Sequence, residues 1–410
     1  MVDMTTETFW RAGFGLAVAT LVAALAQAAD FPVAEKTGAA IQRAIDEAAA
    51  KGGGRVVVPA GLYPSASIRL RSHVELHLEK GARISGSVKW EDYFSFPESV
   101  CPITPEQSDK VFLYAWDAED VAITGEGIVD GNGPQFFDRN AIRWGCFWPK
   151  PATPRPRMVQ LIRCRGIRFA GVMFKDPPNW TMLLRQCEDI VFDGIRVHAN
   201  QHIVNSDGVD FDTCRHVRVR NCSFITGDDC FAIRAIRLPG SDERAVCEDI
   251  LVEDCTLDSA CQTVRMGCPS DDEIRNVTFR NIRARGTRGI NFDYPARYLS
   301  PGSEGFMDIH DILFENYTGD FDYEAIRMDV EPGIKVRGIR DITYRNVDVT
   351  ARRGTRFVGN VHSKMDNVRF ENVTVNGVRQ ADGPVAADCS AADGLKREDG
   401  ASWETMKKRK

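Results

Sequence analysis

The sequence predicts an all-β fold, a parallel β-helix closed at its start by one helix. Three observations favour this fold class. A six-residue pattern with strand periodicity recurs nine times, only one stretch has the periodicity of an amphipathic helix, and the 410 residues have ordinary globular composition, 43% hydrophobic and 27% charged. A repeat of this kind is typical of a solenoid, in which the strands of one coil stack on those of the next.

Each copy of the repeat has a polar residue or glycine, an aliphatic residue, any residue, a second apolar residue, any residue and a closing Gly, Asn or Asp, as in "DILFEN" at 311. The alternation predicts a short strand with one buried face, and the closing residue is of a type that tolerates the positive φ of a sharp bend. The first two copies are 46 residues apart and the others 23 to 35, so we interpret the first interval as two coils. The first aliphatic residues are Val121, Ile167, Ile190, Val217, Ile250, Val277, Ile312, Ile342 and Val368.

Residues 1–28 have the features of a signal peptide. Arg11 precedes the apolar run "AGFGLAVATLVAALAQA", and Ala26-Gln27-Ala28 has the form of a cleavage site. The alternative is a membrane anchor at the same place. We expect a protein that is secreted or periplasmic, with no membrane attachment once the signal is removed.

Residues 29–380 are predicted to form the β-helix domain. Its one helix lies in "TGAAIQRAIDEAAAKGGG", with Thr37 as the N-cap, one apolar face, and Gly52–Gly54 as the stop. Because the first coil of a solenoid needs a cover, we expect this helix to cap the coil that contains "RVVVPAG". Residues 381–410 lose the repeat and are predicted to form a polar, disordered tail.

Cysteines recur at fixed positions of the repeat. Cys164, Cys187, Cys214 and Cys247 each stand three residues before the first aliphatic residue of their coil. Neighbouring coils lie about 4.8 Å apart, a separation that a disulfide can span. Both a ladder of buried thiols and disulfides formed in an oxidising compartment fit this pattern.

Five aspartates lie close together in two segments, "NSDGVDFDTC" at 205–214 and "GDDCFAIR" at 227–234. Asp207 and Asp228 are 21 residues apart, close to one coil, so we expect them to be neighbours on adjacent strands, with Asp229 beside them. Stacked carboxylates repel one another, and such a cluster persists where a metal, a shared proton or a substrate compensates. The cluster therefore predicts a functional site, with calcium binding as the alternative to catalysis.

A column of basic and amide side chains is predicted beside the acids. Arg234, Arg265, Asn291 and Arg327 stand 14 to 17 residues past the first aliphatic residue of their coils. They either neutralise the acids or bind an anionic or hydroxyl-rich substrate, for which the guanidinium fork is suited. Nucleic acid is excluded as a partner class, since a net charge of -6 and a pI near 5.8 predict no broad basic face.

Over residues 36–295 the chain resembles glycoside hydrolase family 28, the polygalacturonase family. The resemblance rests on "AIQRAIDEAAAKGGGRVVVPAGLY", "LHLEKGARISGS" and "RPRMVQLIRCRGIRFAGVMFKDPPNW", and above all on the two aspartate segments, which are similar to the family's Asn-Thr-Asp and Gly-Asp-Asp-Cys motifs. It implies a single right-handed parallel β-helix and an exported glycoside hydrolase whose partner is a pectin-type or related polysaccharide. We expect a monomer that uses no cofactor and no metal.

The resemblance also implies the catalytic roles. Asp228 would protonate the leaving oxygen, while Asp207 and Asp229 would hold and deprotonate the attacking water, with inversion at the sugar carbon. The physics agrees, because two flanking carboxylates raise the pKa of an acid that must keep its proton near neutral pH.

Other motifs of that family are missing from the chain. Cys261 stands where the family has the histidine of Gly-His-Gly, and Asn291–Asp293 replace its Arg-Ile-Lys. The departures imply altered sugar specificity, on an acidic or rhamnose-bearing glycan bound through Arg234 and Arg265.

Further substrate-binding candidates accompany the aspartates. Asn205 and His202 closely precede Asp207 in sequence and would orient it. Trp148 lies, with Trp144, in the insertion "RNAIRWGCFWPKPATPRPRM", where it would stack on a sugar or fasten the loop.

Two other functions fit the sequence. A polysaccharide lyase on a similar scaffold would use calcium and an arginine base, and would release an unsaturated product. A non-catalytic glycan-binding β-helix would bind without releasing any reducing ends.

Overall fold

The computed structural model describes residues 29–102, 108–143, 145–150, 154–238, 241–295, 299, 303, 305–331, 334, 336–359 and 365–385. The predicted signal peptide, residues 1–28, and residues 386–410 of the predicted tail lie outside them. The described residues form a right-handed parallel β-helix, as predicted, with one α-helix, α1, at Gly38–Ala50. Among these residues, no helix has the length and hydrophobicity that spanning a membrane requires.

The coils of the β-helix stack to form three parallel sheets, whose strands are numbered in chain order. The first sheet contains the predicted repeat. Its strands are β1 (Asp30–Pro32), β2 (Gly54–Val58), β5 (Val74–Leu78), β9 (Glu119–Gly125), β14 (Arg165–Ala170), β17 (Glu188–Asp193), β20 (Arg215–Arg220), β23 (Val246–Glu253) and the first parts of β25 (Glu273–Tyr294), β26 (Asp308–Val330), β27 (Gly338–Ala351) and β29 (Met365–Val375).

The second sheet follows the bend that ends each repeat. Its strands are β3 (Gly61–Ser65), β6 (Ala82–Gly86), β10 (Ile128–Asp130), β15 (Met173–Lys175), β18 (Arg196–His198), β21 (Ser223–Thr226), the first part of β24 (Thr256–Met266) and later parts of β25, β26, β27 and β29.

The third sheet carries the two aspartate segments. Its strands are β4 (Ile68–Arg69), β8 (Lys110–Trp116), β13 (Arg157–Ile162), β16 (Met182–Arg185), β19 (Val209–Asp212), β22 (Phe231–Arg234), the last parts of β24, β25 and β26, and β28 (Thr355–Val358). A short strand, β7 (Phe94–Ser95), runs antiparallel to β8.

The register of the first sheet follows the repeat. Each first aliphatic residue pairs with its equivalent on the next coil, from Val121 with Ile167 to Ile342 with Val368. The predicted stacking is therefore confirmed coil by coil. All nine closing residues have the positive φ that the bend requires: Gly125, Gly171, Gly194, Asn221, Asp254, Asn281, Asn316, Asn346 and Asn372.

The interpretation of the 46-residue interval as two coils is wrong. Val121 pairs directly with Ile167, so the interval is a single coil. Much of its extra length lies in an antiparallel hairpin of β11 (Phe137–Arg143) and β12 (Cys146–Pro149), which forms a sheet of its own.

Both ends of the stack are covered. At the first end, Thr37 Oγ1 accepts a hydrogen bond from Ala40 N at 3.2 Å and caps α1 as predicted, while Ile41 and Ile45 are fully buried. At the other end, β30 (Val378–Arg379) and β31 (Gly383–Pro384) pair antiparallel with β29. Regular structure therefore continues to Gly383–Pro384, a few residues past position 380.

The interior consists of ladders of like residues on successive coils. Phe169 stacks on Phe192 with ring centroids 4.8 Å apart. All cysteines in the described ranges are free thiols, and Cys187 contacts the thiols of Cys164 and Cys214. Of the two arrangements that the cysteine spacing allows, the structure has the thiol ladder.

Candidate active site

The aspartate segments lie on neighbouring coils of the third sheet. β19 pairs with β22, and Gly208 N donates a hydrogen bond to Asp229 O at 2.8 Å. Asp207 and Asp229 therefore occupy equivalent positions one coil apart, a separation of about 4.8 Å. Asp228 adjoins both, so the structure brings the three predicted aspartates together.

Glycine and serine allow the two coils to approach closely here. A Cβ at Gly208 would lie 2.3 Å from Cys230 O, and one at Gly227 would lie 2.3 Å from Ile203 O. Ser206 Oγ accepts a hydrogen bond from Gly227 N at 3.0 Å and donates one to Ile203 O at 2.8 Å. The turn that presents the aspartates is thus fixed on both sides.

Two hydroxyl groups hold the backbone of Asp228. Thr226 Oγ1 and Ser259 Oγ each donate a hydrogen bond to Asp228 O at 2.6 Å. Because Ser259 belongs to the next coil, Asp228 is tied both within its own turn and across coils. Asp228 is half-exposed, whereas Asp207 is 3% and Asp229 is 1% exposed.

A thiol and a guanidinium complete the cluster. Carboxylate oxygens of Asp228 and Asp229 and the Sγ atom of Cys261 all lie within 4.8 Å of one another. Arg265 Nη1 is 3.4 Å from Asp229 Oδ2, and its Nη2 is 2.8 Å from Asp293 Oδ2. Arg265 therefore compensates part of the negative charge of the site.

Burial and like charge together favour protonated groups in this cluster. Burial raises the pKa of Asp207 well above its ordinary value, and the nearby carboxylates of Asp210, Asp228 and Asp229 raise it further. The pKa of the Cys261 thiol is likewise raised, by burial first and then by Asp228 and Asp229. The cluster therefore retains protons under conditions where isolated carboxylates have lost theirs.

The donor set does not fit the calcium alternative. Calcium takes about six to eight oxygen ligands, and a protonated thiol at Cys261 is a poor substitute. Two further groups of possible ligands lie on the first sheet, where arginine side chains already pair with their carboxylates. These groups are Glu188, Asp189 and His216, and Glu273, Asp308 and His310.

The predicted column of basic and amide residues is correct for three of its four members. Arg265 pairs in register with Asn291, and Asn291 with Arg327. On β22 the equivalent residue is Ala232, so Arg234 lies two residues beyond the column. Counting from the repeat misplaces Arg234 because the connections between the first and third sheets differ in length from coil to coil.

Two of the predicted substrate-binding residues lie beneath the surface. Arg234, which is 4% exposed, forms an ion pair with Asp210, and its Cζ lies 4.4 Å from the ring centroid of Trp180. Asn291, which is 1% exposed, donates a hydrogen bond from Nδ2 to Gln262 Oε1. Their burial favours an indirect role, through the residues that they hold.

Asn205 and His202 connect the aspartate coil to earlier segments. Asn205 Oδ1 accepts a hydrogen bond from Arg155 Nη2 at 2.9 Å. The carbonyl oxygen of His202 accepts one from Phe147 N at 2.8 Å, and His202 Nδ1 lies 3.2 Å from Gly145 O. His202 therefore fastens the β11–β12 hairpin beside the aspartates.

Trp148 lies on this hairpin, half-buried, with Arg143 Cζ 4.3 Å from the centroid of its ring. The hairpin borders the catalytic candidates, since burial and the charge of Asp228 raise the pKa of Cys146 to about 12. Trp144 lies outside the described residues.

Sequence reasoning misses several residues that shape the site. Three of them, Ser206, Thr226 and Ser259, act through hydroxyl contacts to the backbone, for which the repeat gives no signal. Two others, Gln262 and Arg288, precede by two positions the buried residues Val264 and Ile290, which pair in register. Aligning the coils on those buried residues would have found them.

Comparison with known sequences finds a family match over part of the chain. The model of glycosyl hydrolases family 28 matches residues 55–239. A probable polygalacturonase of Vitis vinifera is 27% identical over 207 residues, which is 48% of this chain but only 40% of the grapevine protein. Exopolygalacturonase B of Aspergillus niger is 22% identical over 357 residues, covering 74% of this chain and 76% of the fungal protein.

Solved structures share the fold. An exopolygalacturonase from Thermotoga maritima, 21% identical, has a TM-score of 0.65 over 88% of this chain and 94% of its own. An endo-xylogalacturonan hydrolase from Aspergillus tubingensis, 16% identical, has a TM-score of 0.63 over 85% and 92%. The family match over residues 55–239 and the sequence relatives support a divergent member of glycosyl hydrolases family 28, and the solved structures share its fold.

Proposed function

We propose that the protein hydrolyses a pectin-type or related polysaccharide with inversion, using Asp207, Asp228 and Asp229. The observation that carries the proposal is the meeting of these three carboxylates from adjacent coils, with Asp228 half-exposed beside two buried partners. The match to the family 28 model supports glycosidase activity, and relatives described as polygalacturonases and endo-xylogalacturonan hydrolases support a pectic substrate.

Asp228 is the proposed general acid. It is the most exposed of the three, so it can reach a glycosidic oxygen, and its backbone is held by Thr226 and Ser259. The cluster supplies the proton, because the raised pKa of Asp207 means that the free site retains one. In coupled carboxylates that proton belongs to the group rather than to a single residue.

Asp229 and Asp207 are the proposed water-binding pair. Arg265 lies 3.4 Å from Asp229, and so places a positive charge beside the residue that is proposed to take a proton from water. As the bond from the sugar carbon to the leaving oxygen breaks, the proton of Asp228 passes to that oxygen. Water attacks from the opposite face and gives its proton to the pair, which inverts the configuration.

The predicted substrate-binding residues are proposed to act in two ways, by direct contact with the sugar or by positioning other residues. Arg265 faces the aspartates directly, and Arg234 and Asn291 act as positioning residues through Asp210 and Gln262. Asn205, His202 and Trp148 are proposed to shape the wall next to the hairpin. Because Cys261 and Asn291–Asp293 replace two motifs of the family, we propose a specificity that differs from plain polygalacturonase activity.

The test uses purified protein on homogalacturonan, xylogalacturonan and rhamnogalacturonan, with release of reducing ends as the measurement. Asp228→Asn should abolish turnover while leaving the unfolding transition and glycan binding intact. Asp366→Asn, which changes an exposed carboxylate on the last coil, is the matched control and should keep full activity.

A wild-type protein that releases no reducing ends from any of the three polysaccharides would contradict the proposed function. Full turnover by Asp228→Asn would remove Asp228 from the mechanism. A product that absorbs in the ultraviolet would indicate an unsaturated sugar and hence a lyase.

A further inference from the structure

The position that Asp207 and Asp229 occupy on their coils has equivalents on later coils of the third sheet. Asp207 and Asp229 occupy equivalent positions on successive coils, and Cys230 N donates a hydrogen bond to Gln262 O, which places Gln262 next. Gln262 pairs in register with Arg288, and Arg288 with Glu324. The side chain of Arg288 thus lies two coils, roughly 10 Å along the axis, from Asp229.

Arg288 has unused hydrogen-bonding capacity. Among the described residues, its Nε has no hydrogen-bond partner. The carboxylate oxygen nearest to it, Glu324 Oε2, is 3.6 Å away and is shared with Arg327 Nε at 3.7 Å, so it is too distant to bond either nitrogen. Glu324 Oε2 is itself without a hydrogen bond. A buried donor left in this state is costly unless a ligand completes its contacts.

The surroundings of Arg288 favour an anionic ligand. Its side chain is 12% exposed, and its guanidinium lies 5.4 Å from the ring centroid of Tyr323. Burial and the neighbouring charge of Arg327 lower its pKa, so the charged form is poorly compensated in the free protein. Arg265, by contrast, already contacts Asp229 and Asp293.

Cys261 is close to the proposed catalytic aspartates and interacts electrostatically with Arg288. The thiol lies within 4.8 Å of the carboxylates of Asp228 and Asp229, and its pKa responds to both of them and to Arg288. A ligand atom on Arg288 would therefore belong to a sugar next to the cleaved bond, two coils from the water-binding pair.

We propose that Arg288 is a specificity-determining residue whose guanidinium binds a carboxylate on the sugar adjacent to the scissile bond. The inference rests on the proposed hydrolytic function. It assigns the recognition of acid groups to a residue outside Asn291–Asp293, the segment that has lost the family's basic motif. The planar fork of arginine suits two parallel hydrogen bonds to a carboxylate.

The experiment compares homogalacturonan oligosaccharides with free carboxyl groups and the same oligosaccharides after methyl esterification. Wild-type protein should prefer the free acid in kcat/KM. In Arg288→Gln that preference should fall by on the order of tenfold or more, because a charge-assisted contact is lost for one substrate only. Arg285→Gln is the control, since Arg285 lies on the same strand, is 70% exposed and pairs with Asp258 on the surface. It should leave the preference unchanged.

Arg288→Lys keeps the charge but loses the fork, and should give an intermediate preference; it carries the test if Arg288→Gln does not fold. A wild type that shows no preference for the free acid, or an Arg288→Gln variant that loses activity equally on both substrates, would overturn the assignment. Hydrolysis of neither oligosaccharide would also overturn the assignment, whereas the proposed function fails only if the wild type releases no reducing ends from homogalacturonan, xylogalacturonan or rhamnogalacturonan.

Discussion

One short segment contains three buried aspartates, Asp207, Asp210 and Asp212. They differ in how the charge of each is balanced. Asp210 pairs with Arg234, and Asp212 pairs with Arg185 at 2.7 Å. Among the described residues Asp207 has no such ion pair, and its Oδ1 has no hydrogen-bond partner. Asp207 is therefore the carboxylate whose environment disfavours the charged form, and its pKa is raised accordingly.

The raised pKa of Asp207 predicts a dependence of stability on pH. The folded protein binds a proton at Asp207 that the unfolded chain, with a pKa near 3.9, releases, so the free energy of unfolding falls as the pH rises from about 4 toward the raised value. Asparagine does not titrate, so Asp207→Asn removes this fall in the free energy of unfolding. Its midpoint of thermal unfolding at pH 8 should exceed that of the wild type by about 2 °C or more, and the difference should shrink toward pH 4.

Asp212→Asn is the matched control for that measurement. It breaks the buried ion pair with Arg185 and should lower the free energy of unfolding by about 3–5 kcal/mol. Activity should be lost in Asp207→Asn despite the gain in stability. An unchanged or lower midpoint for Asp207→Asn at pH 8 would show that Asp207 is charged in the folded protein.

The aspartate cluster could be predicted from the sequence, but the partners of its members could not. Asp207, Asp228 and Asp229 stand out because like charges at a one-coil spacing need compensation. The pairing of Asp210 with Arg234 depends on the register of β22, and that register is set by the connection that precedes it. Sequence spacing alone therefore does not distinguish the ion-paired carboxylates, such as Asp210, from the carboxylates of the proposed catalytic cluster.

Among the elements, the first bend of each coil is held by a ladder of side chains. The closing asparagines of successive coils donate amide hydrogen bonds to one another, as in Asn316 Nδ2 to Asn281 Oδ1 at 2.9 Å and Asn346 Nδ2 to Asn316 Oδ1 at 3.1 Å. Asn316 has a φ of 52°. Asparagine thus serves both the left-handed backbone and the contact between coils.

Substitution of Asn316 separates these two contributions. Asn316→Ala loses the ladder and keeps the unfavourable backbone, whereas Asn316→Gly loses the ladder and relaxes the backbone. We expect alanine to be more destabilising than glycine by about 1 kcal/mol, measured by chemical unfolding. If glycine proves equally or more destabilising, the ladder rather than the backbone holds the bend.

The elements differ in how well the sequence predicts them. The first sheet follows the repeat from Val121 to Val368, because each of its strands is defined by its own six residues. The third sheet does not, since Arg234 falls two positions away from the column that counting assigns to it. The sequence position of a residue in the third sheet depends on the length of the connection before it. Its register is set by local hydrogen bonds, which the repeat does not predict.

On the scale of the whole molecule, the stack of coils places the aspartates between two covered ends. α1 closes the first coil, and β30 and β31 pair with the last repeat strand. The hairpin of β11 and β12 is the feature that the repeat could not predict, because an insertion leaves the pairing of the coils around it unchanged. For this reason the 46-residue spacing of the repeat predicts one coil too many.

The configuration of the first product shows directly whether the site inverts the sugar carbon. Wild-type protein is mixed with an α-linked pectic oligosaccharide, and proton NMR spectra are recorded before the released sugar mutarotates. Water attacking from the face opposite Asp228 predicts that the new reducing end appears first as the β anomer. Initial appearance of the α anomer would mean retention, and would contradict an inverting centre built from Asp207, Asp228 and Asp229.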